Sequence, residues 1–126
     1  MKNPEGLKYS KSHEWVAFMD DNTAKIGLTD YAQDSLGSLV FINLPEEGDT
    51  VEAGEALGDV ESVKAVSDVL SPLNGTVSAI NEALLDAPEN INSDPYGSWL
   101  ITVTDYSGGD ELMSVAEYEA LCKESE

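Results

Sequence analysis

Lys64 sits in the stretch Glu61-Ser62-Val63-Lys64-Ala65-Val66-Ser67-Asp68, with strand-like runs on both sides, residues 56–60 before it and 65–70 after it. No Gly, Pro or Asn marks the bend between them, although hairpin turns usually draw on those residues. A β-branched apolar residue and a lysine therefore occupy what should be a polar, glycine-rich tip. Local rules tend to be broken at functional sites, and a primary amine set out at such a tip is a nucleophile offered to something else. The pattern alone also suits a solubilising lysine on a hairpin. The amine is scarce: the six basic residues are all lysine, against 25 acidic ones.

Other chemistries find little support. The only histidine, His13, lies between Ser12 and Glu14; on an alternating strand its ring points away from both, which makes it structural. There is no Cys/His metal spacing and no glycine-rich phosphate loop, so a stand-alone enzyme is the weakest reading. The acidic pairs Asp20-Asp21 and Glu46-Glu47 fall in turns, where solvated charge is the ordinary explanation. The single cysteine, Cys122, cannot form an internal disulfide, so a reducing compartment is the default. A formal net charge of −19 rules against binding rows of phosphates and against anionic membrane surfaces. It favours docking to basic clefts on partners, and it also serves plain solubility. No run approaches the 18 apolar residues of a membrane span. Residues 1–6 lack the apolar core of a secretory signal.

The elements that would position Lys64 are mostly β. At 126 residues, 41% of them hydrophobic, residues 1–126 make one domain with a core of its own. Residues 15–18 and 24–28 read as strands around an Asp20-Asp21-Asn22 turn. Residues 29–36 read as a short helix capped by Thr29 or Asp30, with Ala32 and Leu36 on one face and Gly37 as the stop. Leu39-Val40-Phe41-Ile42 is a continuous apolar run, expected as a buried strand. Residues 50–104 are short strands punctuated by Gly, Pro or Asn, which argues a β-sandwich or flattened barrel. Ser114 to Glu117 forms a capping box ahead of Val115, Tyr118, Leu121 and Cys122, which share one face of a closing helix. Residues 45–51 and 72–77 both read as a Pro-x-x-Gly turn entering a valine strand. A two-fold pair of β layers would produce that echo, and so would chance.

Several of these segments resemble a known family. Residues 48–57, then Glu61-Ser62-Val63-Lys64-Ala65, then Ser71-Pro72-Leu73-Asn74-Gly75-Thr76-Val77 look like a biotinyl/lipoyl carrier domain. Gly6-Leu7-Lys8-Tyr9, Ser12-His13-Glu14-Trp15, residues 27–34 and Asn92-Ser93-Asp94-Pro95-Tyr96 narrow the resemblance to the H proteins of the glycine cleavage system. The match runs in order over nearly the whole chain. It implies a mainly β, flattened barrel-sandwich hybrid with a short helix near residues 29–36 and a C-terminal helix. It also implies that Lys64 carries lipoate in amide linkage, which would take the formal charge from −19 to −20. Val63 and Ala65 stand where biotin acceptors place methionines, so lipoate is favoured over biotin.

The same resemblance implies a carrier, not a catalyst. The arm would take the aminomethyl group from a pyridoxal-phosphate glycine decarboxylase and pass it to a tetrahydrofolate-dependent aminomethyltransferase. A flavin dihydrolipoyl dehydrogenase would then reoxidise it. A lipoate–protein ligase or a lipoyl/octanoyl transferase would load Lys64, with Glu61, Val63 and Ala65 as recognition elements. The loaded arm would park in a pocket matched here by Ser12, Glu14 and Asp68, with Glu14 as the main acceptor for the cargo's ammonium. A carboxylate there would keep the amine protonated, so its lone pair cannot expel the thiolate. Ser35 falls near that pocket where some relatives carry a histidine; serine can hydrogen-bond but cannot titrate. The stretch 95–99 reads as one residue shorter than the usual form. A monomer in a bacterial cytoplasm is expected, or in a mitochondrial matrix for a processed form, with no nucleic acid and no membrane. Two alternatives stay open at this level: an H-like protein relaying lipoyl groups to other enzymes, and an unmodified acidic β interaction module.

Overall fold

The computed structural model of the protein describes residues 3–19, 21–109 and 111–125; Met1, Lys2 and Asp20, which entered the sequence expectations above, lie outside them. In chain order the strands are β1 (Lys8–Tyr9), β2 (Glu14–Phe18), β3 (Ala24–Leu28), β4 (Leu39–Asn43), β5 (Thr50–Val51), β6 (Ala56–Ser62), β7 (Val66–Leu70), β8 (Asn74–Ile80) and β9 (Ile101–Ser107). The helices are α1 (Asp30–Leu36), α2 (Ala83–Asp86), α3 (Asn90–Ser93) and α4 (Val115–Ser125).

The strands form two antiparallel sheets. One has six strands in the order β1-β2-β3-β9-β8-β5, the other three in the order β4-β6-β7. Neither closes on itself, so the expected barrel-sandwich hybrid takes the form of a sandwich of two open sheets. Its core draws Val16, Ile26, Val77 and Val103 from the larger sheet and Leu39, Ile42, Val60 and Val69 from the smaller. Along β9, buried Ile101 and Val103 alternate with half-buried Thr102 and Thr104, the period of two that a half-buried strand requires.

The capping boxes and turns are where sequence chemistry becomes geometry. Thr29 caps α1, its hydroxyl accepting from Ala32 N at 3.2 Å. Gly37 ends the helix at φ 81°, a left-handed conformation that suits glycine. At the other end of the chain, Ser114 N donates to Glu117 Oε1 (2.9 Å) and Glu117 N to Ser114 Oγ (3.3 Å), the reciprocal box expected there. Helix α4 lays Val115, Tyr118, Leu121 and half-buried Cys122 against Tyr9 and Trp15. The rings of Tyr9 and Tyr118 stack with centroids 4.6 Å apart.

Four expectations need correction. The run 39–42 is not buried throughout: Leu39 and Ile42 are, but Val40 and Phe41 are exposed, because a bulge lies between Leu39 and Phe41 and shifts the alternation. The echo at 72–77 is not a second turn. Gly75 lies within β8, opposite Val51, and a Cβ there would meet Val103 Cγ1 at 2.3 Å, so close packing requires the glycine. The two echoed segments do pair, Thr50 opposite Thr76. Helices α2 and α3, four residues each, were not foreseen, since one turn is too short to show a period. Finally, His13 is not on a strand; it precedes β2 with φ 71°.

Candidate functional site

The lysine tip is built by a side chain standing in for a backbone carbonyl. Residues 62–65 join β6 to β7, and Ser62 N donates to Ala65 O at 2.8 Å. The return bond from Ala65 N goes to Ser62 Oγ at 3.1 Å, and Lys64 N reaches the same oxygen at 3.3 Å. Serine hydroxyls can imitate a turn carbonyl in this way, which is how the tip dispenses with Gly, Pro and Asn. Val63 N donates to Ser38 O at 3.2 Å, tying the tip to the segment after α1. That segment is held in turn by Asn92 of α3, whose Nδ2 donates to Gly37 O and whose Oδ1 accepts from Leu39 N, both at 2.9 Å. Lys64 is exposed, and its aliphatic stem lies over Gly37: a Cβ there would stand 3.4 Å from Lys64 Cε.

A second construction lies at the start of β2. The chain turns tightly over residues 10–14, with Ser10 N donating to Glu14 O (2.9 Å) and His13 N to Ser10 O (3.1 Å). The turn delivers Glu14 into the interior at 2% exposure. Ser10 Oγ accepts from Glu14 N at 2.9 Å and donates to Glu14 Oε1 at 2.7 Å. The hydroxyl of Ser12 donates to the same oxygen, and the backbone of Leu70 also bonds the carboxyl. Burial pushes the Glu14 carboxyl up to about 7, with the bonds from Ser12, Ser10 and Leu70 pulling against it. A carboxyl at that value changes its proton readily at neutral pH.

Glu14 opens onto a cavity of about 150 Å³ whose wall includes Ser12, His13, Tyr31, Ser35, Ser67 and Asp68. The structure thus brings together all four residues expected around the arm's cargo: Ser12, Glu14, Asp68 and Ser35. They are not equivalent. Glu14 is buried, whereas Ser12, Ser35 and Asp68 are exposed and form the rim. Asp68 stands opposite Asp59 in the β6–β7 register. The strand alternation puts Ser67, opposite buried Val60, on the side of the cavity. Glu61, Val63 and Ala65 lie at the lysine tip, apart from this wall.

His13 does not point away from Ser12 and Glu14 as the strand reading expected; it sits in a packed polar and aromatic cluster. Its ring stacks on Tyr31 at 4.5 Å, and its Nδ1 is 2.7 Å from Tyr118 Oη, which also lies 2.7 Å from Thr29 Oγ1. Burial holds its pKa below the usual range, so the ring is neutral. It nonetheless faces the same cavity as Ser12 and Glu14. A wider cleft of about 440 Å³ shares Ser12 but not Glu14, and is lined by Lys11, Gly54 and Pro72 among others; among the described residues it holds no buried ionisable group.

Sequence reasoning missed Ser10, Ser67, Ser62 and Asn92. Ser10 and Ser62 act through hydroxyl-to-backbone turns that leave no pattern beyond a serine near a bend. Ser67, one position before Asp68, carries no sequence pattern that sets it apart from any exposed strand serine. Asn92 stood in the quoted motifs, but its role as a clamp depends on α3.

The family model described as glycine cleavage H-protein matches residues 7–125. The glycine cleavage system H protein of Lachnoclostridium phytofermentans is 58% identical over 123 residues, covering 98% of this chain and 97% of its own. The probable glycine cleavage system H protein of Thermoplasma acidophilum is 51% identical and covers 94% of each. Among solved structures, the glycine cleavage system H protein of Mycobacterium marinum superposes with a TM-score of 0.90 at 39% identity, over 96% of this chain and 99% of that one.

Proposed function

Since this chain belongs to the glycine cleavage H-protein family, a family of lipoyl carriers and not of catalysts, we propose that Lys64 is its lipoyl attachment site and Glu14 the group that holds its cargo. The chain is a lipoyl carrier of glycine cleavage. When attached, the lipoyl dithiolane supplies the sulfur pair that takes up and gives off the one-carbon amine.

The protein's own residues suit that group. Lys64 is an exposed amine on a tip whose backbone bonds are closed by Ser62 and Ser38, so attachment leaves the fold unstrained. The strand leaving that tip carries Ser67 and Asp68 to the cavity wall, which puts Glu14 on the same side of the molecule. The observation that carries the reading is Glu14 itself, a buried carboxyl aimed into a polar-rimmed cavity and bonded by two serine hydroxyls.

Near neutral pH the Glu14 carboxyl is protonated part of the time, with a midpoint of about 7. An amine arriving beside it takes that proton, and the neutral pair becomes a carboxylate and an ammonium with no change in net charge. The hydroxyls of Ser10 and Ser12 and the Leu70 backbone then stabilise the carboxylate. In a site of low dielectric such a charge-assisted bond is short and strong. A protonated amine has no lone pair to expel its neighbouring sulfur, so the cargo stays on. Asp68, at the rim, adds a second negative charge, while Ser35 offers a hydroxyl. The test is release of ammonia and formaldehyde from the carrier loaded with methylamine: Glu14→Gln should speed it at least tenfold, and unchanged decay removes this role.

The chain's place in glycine cleavage implies partner enzymes. We assign them as a pyridoxal-phosphate glycine decarboxylase, a tetrahydrofolate-dependent aminomethyltransferase, a flavin dihydrolipoyl dehydrogenase and a lipoate–protein ligase or lipoyl/octanoyl transferase. Glu61, Val63 and Ala65 are proposed as contacts for the last of these. We place the carrier as a monomer in a bacterial cytoplasm, or in a mitochondrial matrix for a processed form. No helix among the described residues is long and apolar enough to cross a membrane.

A further inference from the structure

The bulge in β4 turns two consecutive apolar side chains outward next to the lysine tip. Val40 is 54% and Phe41 50% exposed, and across the sheet Val63 and Val66 are 73% and 66% exposed. Phe41 stands opposite Glu61, and Glu61 opposite Val66, so one row crosses all three strands on the outer face. The inner face of the same strands buries Ile42 and Val60. Val63 N, bonded to Ser38 O at 3.2 Å, ties the lysine tip to the chain just before this row. Bulges are retained where they re-aim a side chain, and large apolar side chains grouped on a surface mark a contact.

Resting on Lys64 as the attachment site, we infer that Val40, Phe41, Val63 and Val66 form the docking surface for the enzyme that acylates Lys64. Reach decides the occupant. Acylation joins Lys64 Nζ, as the free amine, to the carbonyl carbon of an activated acyl group. The C–N bond forms, the bond to the activating phosphate or sulfur breaks, and the amine's proton passes to solvent. That carbonyl must come within bonding distance of Nζ, and a lysine side chain spans only about 6 Å from Cα to Nζ. The acylating enzyme therefore has to lie on the tip and on what surrounds it. Enzymes that act later on the arm meet its far end and need not touch this surface.

Charge decides between that enzyme and a second copy of the chain. Glu61 stands in the middle of the row, flanked by Asp59 on β6 and Asp68 on β7, in a chain of net charge −19. Two such surfaces brought together would bury like charges without a partner. A complementary surface has an apolar depression for Phe41 and a basic side chain for Glu61.

The test uses the full chain, a purified lipoate–protein ligase, lipoate and ATP. Phe41→Ser should raise KM for the carrier about tenfold with kcat within twofold, and Phe41→Leu should restore most of the loss. Glu61→Lys should raise KM as well. The thermal midpoint of Phe41→Ser should stay near that of the parent, because the side chain is exposed. A KM for Phe41→Ser within twofold of the parent would overturn the inference. So would a parent chain that sediments as a dimer dissolved by Phe41→Ser. If the parent chain is not acylated at Lys64 at all, the attachment reading itself falls.

Discussion

Replacing Glu14 by glutamine should remove a pH dependence of stability that the buried carboxyl imposes. The folded protein holds the Glu14 proton to about 7, against 4.5 for the unperturbed group. Between those values the folded state binds more protons than the unfolded state, so stability falls as pH rises. The contribution is complete below about 4.5 and gone above about 7. A gap of two to three pH units corresponds to about 3 kcal/mol. Glutamine keeps an oxygen for the hydroxyls of Ser10 and Ser12 but cannot ionise. Urea unfolding of parent and Glu14→Gln at pH 5, 6, 7 and 8 measures this directly. The other 24 acidic residues repel one another in both proteins, so the difference between the two isolates Glu14. That difference should swing by about 2.5 kcal/mol in favour of glutamine from pH 5 to pH 8, or about 2 M in the urea midpoint. A difference that stays constant to within about 0.5 kcal/mol would refute the reasoning, because Glu14 would then be an ordinary carboxylate unsuited to lending a proton.

Ser10→Ala removes one hydroxyl donor from the Glu14 carboxylate, so the Glu14 titration, followed by carboxyl-carbon NMR, should move up by about one unit. Cargo release from the loaded carrier should shift along the pH axis by the same amount. Ser62→Ala leaves the amides of Lys64 and Ala65 without their acceptor. Their hydrogen exchange should quicken, while stability falls by only about 1 kcal/mol, since water can reach the exposed tip. Gly37→Ala forces a side chain into φ 81° and against the Lys64 stem; it should lower stability by about 1 kcal/mol or more and slow acylation, read by melting and by initial rate.

The parts of the fold legible in the sequence were those with a repeating signal. Strands β2 and β3 announced themselves as short runs on either side of the Asp20-Asp21-Asn22 turn, and α1 and α4 through Thr29 and the Ser114–Glu117 box. The lysine hairpin stood out because its tip broke the usual turn composition. What stayed hidden depended on single departures from a period. One inserted residue at Val40 exposed Phe41, and one left-handed residue, His13, brought its ring to the same cavity as Glu14. Side chains that borrow backbone roles were equally silent. Ser10 and Ser62 look like any surface serine until the turn that they complete is known. Asn92 reaches Gly37 across 55 positions of sequence, a distance at which local pattern says nothing. The resemblance therefore gave the membership of the candidate site and the leading place of Glu14, but not its geometry: the buried position of Glu14 and the rim positions of Ser12, Ser35 and Asp68 come from packing alone.

Peptide mapping after acylation, paired with a glycine-oxidation assay, tests the central claim most directly. The chain incubated with lipoate, ATP and a lipoate–protein ligase should gain one lipoyl group, on the peptide that contains Lys64. Lys64→Ala should gain none and should fail to support glycine oxidation by the partner enzymes. A lipoyl group on any of the other five lysines, or full glycine oxidation with Lys64→Ala, would contradict the account.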